Sequence, residues 1–143
     1  MTLTRTQTAA LLASVDLFAG TSLRTRRAIA GQAVEVEFPA GRPIVRQGEV
    51  GNGLFVLVSG AARVVRDGEV LAHLGPGDFF GELSLLDRQP RIASVVADGP
   101  TRCLALAAWD LQRVLQAEPS VAVALLRSVA GRLRASAATD HRH

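Results

Sequence analysis

A chain of 143 residues, 48% hydrophobic and 20% charged, has the composition of one folded domain with one core and not of a disordered segment. No apolar run approaches the roughly 20 residues a membrane helix needs, and residues 1–13 lack the pattern of a signal peptide. The lone cysteine, Cys103, excludes an internal disulfide and a cysteine-rich metal site, and the net charge of +3 is dispersed except for one short basic cluster, for which nucleic-acid contact is the less favoured reading.

All 16 basic residues are arginine, which reads as the composition of a GC-rich bacterial genome, and a cytoplasmic location is expected. Arg24, Arg26 and Arg27 form the one basic cluster, read as a solvated helix face.

The first zone, residues 1–32, is expected to be helical. Leu11, Leu12, Val15 and Phe18 share a face by their spacing, and Gly20 ends that stretch. Ser22 is placed to cap a second helix over Leu23 to Gln32.

The second zone, residues 33–107, is dense in short strands. Val34, Val36 and Phe38 alternate with Glu35 and Glu37, as in a half-buried strand. Leu54 to Val58 is a continuous apolar run, and Ala62 to Arg66 leads into Asp67-Gly68, a hairpin signal. Val70 to Leu74, Ile92 to Ala97 and Arg102 to Leu106 complete the set, with Cys103 read as a buried small hydrophobe. Short strands at this spacing predict a mainly β fold with flanking helices: a jelly-roll β-barrel, or double-stranded β-helix.

The third zone, residues 108–138, returns to helices. Trp109 to Gln116 is one, and Pro119 suits the first turn of another. Ala122, Leu126, Val129 and Leu133 form a stripe at helical spacing, expected to pack on the barrel for most of its length.

Residues 78–95 interrupt the strand rhythm. Gly81, between Phe80 and Glu82, lets backbone approach a ligand with no Cβ in the way. Glu82 to Asp87 has the length of one helical turn, whose free N–H groups bind phosphate. Arg91 follows Pro90, whose fixed φ holds the approach of the arginine. An arginine fork beside a helix N-terminus is a receptor for an anionic phosphodiester.

Phe80-Gly81-Glu82-Leu83-Ser84-Leu85-Leu86, followed by Pro90-Arg91-Ile92-Ala93-Ser94-Val95, resembles the phosphate-binding cassette of cyclic-nucleotide-binding domains. That family includes the catabolite activator protein, the regulatory subunit of cAMP-dependent protein kinase and cyclic-nucleotide-gated channels. Leu17 to Gly20, Gly41 to Gly48, Leu54 to Gly60 and Gly75 to Phe79 extend the resemblance over nearly the whole chain.

The resemblance implies a nucleotide-binding, regulatory domain in signalling whose ligand is cAMP, with cGMP as the other candidate. Arg91 would pair with the charged exocyclic oxygens of the cyclic phosphate. Glu82 would accept a hydrogen bond from the ribose 2′-hydroxyl, which calls for an acceptor-only carboxylate. Gly81 and Leu83 would line the sugar. The N–H groups of Ser84 and Ala93 would face the phosphate, beside Ile92, and Ser94 would offer a hydroxyl to phosphate or base. By strand alternation, Val64 and Leu71 would flank the purine from the barrel interior. The last helix would be a lid, with Leu126, Arg127, Val129 and Leu133 as candidate contacts, and a homodimer through it is a further expectation.

A cupin-like metal enzyme would need clustered histidines on the barrel strands. His73 stands alone there, with His141 and His143 at the tail, and no third group is placed to make a Ser–His pair. The expectation is therefore no enzyme, no catalytic residue and no metal. A transcription factor of the family would carry a helix-turn-helix after the lid. Only seven residues follow Ser136, so direct DNA binding is not expected of this chain. It reads as a stand-alone sensor or as a fragment of a larger regulator, with an effector protein or fused domain as partner. A degenerate domain that binds partners without nucleotide is the other alternative.

Overall fold

The computed structural model describes residues 2–51, 53–81 and 89–140, with the side chains of 108, 109, 132 and 136–140 outside that description. Two helices come first: α1 (Arg5–Leu12) and α2 (Leu23–Gln32). Thr4 caps α1 reciprocally with Gln7, and the Ser22 side chain accepts from the Thr25 amide at the start of α2.

Residues 13–21 were expected to continue the first helix to Gly20. The chain instead runs through tight turns, in which the amides of Val15, Phe18 and Thr21 each donate to the carbonyl three residues back. The shared face survives this change, because Leu12, Val15 and Phe18 are all buried.

The β region holds β1 (Val34–Phe38), β2 (Pro43–Val45), β3 (Gly53–Ser59), β4 (Ala62–Arg66), β5 (Glu69–Leu74), β6 (Phe79–Phe80), β7 (Ser94–Ala97) and β8 (Thr101–Ala107). They form two four-stranded antiparallel sheets, ordered β1-β8-β3-β6 and β2-β7-β4-β5. Strands far apart in sequence are neighbours in both, and the fold is the expected jelly roll. The Asp67-Gly68 turn has φ of 52° and 82°, the left-handed pair a two-residue hairpin requires.

Alternation along β3 and β8 divides the core. Leu54, Val56, Leu104 and Leu106 face the helices and pack with Leu12, Phe18, Ile29 and Leu111. Leu57 and Cys103 face inward and meet Val45, Ala62, Phe80 and Val95 between the sheets.

The chain closes with α3 (Ala108–Ala117) and α4 (Pro119–Asp140). The stripe expected to pack from α4 is corrected here. Among the described side chains of α4, Val121 and Leu125 are the buried ones, while Leu126 is 66% exposed and Leu133 69%. The helix is apolar on adjacent faces near its start, so spacing alone selects the wrong one.

Candidate functional site

Arg91 lies just before β7, and its backbone is held by the turn between β2 and β3. The Arg91 amide donates to the Glu49 carbonyl at 2.9 Å, and the Gly48 amide donates to the Arg91 carbonyl at 2.8 Å. Gly48 has φ of 86°, which bends the turn so that both bonds form. The backbone of Arg91 is therefore clamped from one side. Its guanidinium then reaches back, and Nη2 donates to the Gly53 carbonyl at 3.2 Å.

Arg91 is only 9% exposed. Removing a guanidinium from water is costly, so a buried one is held by a network or by an anion it serves. On its far side stands Gly81, with φ of 96°. A Cβ at Gly81 would lie 2.6 Å from the Gly53 carbonyl oxygen and 2.9 Å from Arg91 Nη1. Only glycine brings that backbone so close to the fork.

Strand β6 places Gly81, because Phe80 pairs with Phe55 of β3 and the two rings stack with centroids 5.4 Å apart. Phe80 is buried in the inner core, so the residue after it emerges at the end of the barrel beside the start of β3.

Arg91, Gly51, Gly53, Phe55, Ile44 and Val50 are among the residues lining a cleft of about 500 Å³ at this end of the barrel. Asp110 lines it too, from the first turn of α3. Asp110 is 5% exposed and its Oδ1 has no hydrogen-bond partner. The positive end of the α3 dipole offsets part of the cost of that carboxylate.

The other expected residues divide. Glu82, Leu83 and Ser84 lie outside the described residues. Ala93 is half-buried and Ile92 is 61% exposed, both beside Arg91 in the chain. Ser94 Oγ accepts the Gln47 amide at 2.8 Å, so its oxygen ties β7 to the β2–β3 turn. Gln47 in turn exchanges two hydrogen bonds with Asp67, anchoring that turn to the hairpin.

Val64 is half-buried and packs on the inner core. Leu71 departs from the alternation used to place it. The register steps from Val64↔Ala72 to Val65↔Val70, which makes Leu71 the extra residue of a bulge, 52% exposed on an edge strand. None of the four lid candidates lines the cleft; Val129 is half-buried and Arg127, like Leu126 and Leu133, is exposed. Among the described residues, no group of three or more His, Cys, Asp or Glu is placed to hold a metal ion, and no helix is long and apolar enough to cross a membrane.

Sequence reasoning missed the β2–β3 turn as part of this site. Its signal was present in the three glycines at 48, 51 and 53, which crowd a short run with no local reason for so many.

Residues 35–118 match the family model described as the cyclic nucleotide-binding domain. The chain is 42% identical over 102 residues to the cyclic AMP receptor protein of Thermus thermophilus, a match covering 68% of this chain and 47% of that protein. It is 38% identical over 104 residues to a cGMP-dependent protein kinase of Toxoplasma gondii, covering 73% of this chain and 10% of the kinase. The chain thus spans about half of one of these relatives and a tenth of the other. Among solved structures, the regulatory domain of Toxoplasma gondii PKA, crystallised with cAMP, superposes with a TM-score of 0.79 at 28% identity. That likeness covers 90% of this chain and 50% of the solved one.

Proposed function

This chain belongs to the cyclic nucleotide-binding domain family, and from that premise we propose that it is a non-enzymatic cAMP sensor, with residues 1–143 forming one domain. Arg91 pairs with the exocyclic oxygens of the cyclic phosphate, and the amides of Ser84 and Ala93 complete the anion site. Glu82 accepts from the ribose 2′-hydroxyl, with Gly81 and Leu83 along the sugar. Ile92, Ser94, Val64 and Leu71 border the phosphate and base.

The observation that carries this reading is the seat of Arg91: a residue 9% exposed, clamped through its backbone, with its guanidinium set beside the left-handed Gly81 at a cleft. A fork and a glycine backbone so arranged suit an oxyanion.

Binding would be signalled through α4, by contacts of Leu126, Arg127, Val129 or Leu133 with the base, to an effector protein or fused domain in the cytoplasm. A homodimer through the same helix is part of this reading. The relative that is a cGMP-dependent kinase supports cGMP as the second ligand to titrate.

Calorimetry with cAMP and cGMP on wild type and Arg91→Ala tests the proposal. Each hydrogen bond to a charged group contributes about 1.5–3 kcal/mol, so loss of a two-pronged contact lowers affinity roughly a hundredfold or more. Equal affinities in the two proteins would sink it.

A further inference from the structure

Six of the glycines have a conformational reason to be glycine: Gly41, Gly48, Gly60, Gly68, Gly77 and Gly81 all have φ between 80° and 96°. Gly51 is not among them, so the left-handed strain that bars a side chain at those six does not apply to it. Its constraint is spatial. A Cβ built at Gly51 would meet the Arg91 guanidinium, lying 2.5 Å from Cζ and closer still to Nη2 and Nε. The three heavy atoms nearest to it all belong to that guanidinium.

We infer that Gly51 is a positioning residue for Arg91, an inference that rests on the nucleotide-binding role proposed above. The Nε–Nη2 edge of the guanidinium is turned toward the Gly51 backbone, with the Gly53 carbonyl accepting from Nη2 and Gly81 beside Nη1. The Arg91 backbone is held by hydrogen bonds to Gly48 and Glu49. A methyl group at position 51 therefore displaces the side chain alone. Displacing the end of a flexible side chain disturbs folding little, but it removes the fork from its place beside Gly81. A fork held in place before the ligand arrives loses less rotamer freedom on binding, so the seat raises affinity by preorganisation.

The test is Gly51→Ala, alone and combined with Arg91→Ala, read in three ways. Thermal unfolding of Gly51→Ala stays near that of wild type. Calorimetry shows cAMP affinity at least tenfold weaker in Gly51→Ala, and a change of less than twofold when the same substitution is added to Arg91→Ala. The Arg91 side-chain Nε–H resonance, assigned by its loss in Arg91→Ala, is resolved and slowly exchanging in ligand-free wild type and moves to the exposed-arginine position in Gly51→Ala. Affinity within twofold of wild type in Gly51→Ala, an equal loss in both backgrounds, or an unmoved Nε–H resonance each overturns the inference. A wild type that binds neither nucleotide, with the resonance shifting as stated, refutes the nucleotide role and leaves the seat standing.

Discussion

Nη2 of Arg91 donates to the carbonyl oxygen of Gly53 at 3.2 Å, joining residues 38 apart in sequence. Nη2 is thus engaged by the protein's own backbone, at a position set by the planar guanidinium that carries it.

Arg91→Lys separates charge from shape. Lysine keeps one positive charge but lacks the fork that reaches Gly53 and the front of Gly81 together. The expected outcome is an affinity for cAMP about tenfold weaker than wild type, and stronger than that of Arg91→Ala. Calorimetry checks it, and a lysine variant equal to wild type would show that charge alone suffices.

Phe80 anchors the entry to the site, buried among the inner core and stacked on Phe55. Phe80→Ala leaves a cavity there and costs about 3–5 kcal/mol of stability. Phe80→Leu keeps most of the volume and costs less than about 1.5 kcal/mol. Urea unfolding midpoints measure both. A small loss for the alanine variant would mean that the barrel end collapses to fill the space.

Glu118 stands between α3 and α4 and accepts hydrogen bonds from Thr25 at 2.6 Å and Ser22 at 3.0 Å. Those bonds, that from Thr25 foremost, hold its carboxyl below the ordinary value of 4.5. A lowered carboxylate pKa adds stability above the unfolded value, and that stability is lost as pH falls below about 4.5 through the lowered one. Thr25→Val is expected to make stability less steeply dependent on acid between pH 5 and the lowered pKa. Denaturation midpoints at several pH values read the difference, and parallel acid limbs would count against it.

Cys103 is fully buried on the inner face of β8, and burial pushes its thiol up to about 11 from an ordinary 9.0. The folded protein therefore holds it protonated, and the stability this represents declines as pH rises above 9.0, where the unfolded chain ionises. Native protein at pH 8 is expected to resist alkylation by iodoacetamide, with modification following unfolding. Stoichiometric labelling of the native state would contradict the burial.

Features encoded within a few residues were legible before the fold was known. The Ser22 cap, the Asp67-Gly68 hairpin and the span of β1 stand where expected, although Val34, assigned by alternation to the buried face of β1, is 60% exposed. The motif around Phe80 to Val95 identified the family, which the match over residues 35–118 supports. The roles of its individual residues remain the proposal to be tested by Arg91→Ala.

Other features were not local. Strands β2 and β6, of three and two residues, exist because Val45 finds Val95 and Phe80 finds Phe55. No window of sequence so short carries a period. The face that α4 buries was equally hidden, since Val121, Ala122, Val123, Ala124, Leu125 and Leu126 supply an apolar residue at every angle. Packing against the rest of the core selects Val121 and Leu125.

By itself, then, the sequence determined the class of fold, the local turns and the loop that bears Arg91, because turn chemistry, alternation and a motif are properties of neighbouring residues. Only the tertiary structure decided where the guanidinium rests. That depends on Glu49, Gly51 and Gly53 being brought against Arg91 from about 40 residues away, and a close approach of two distant backbones leaves no periodic trace in either.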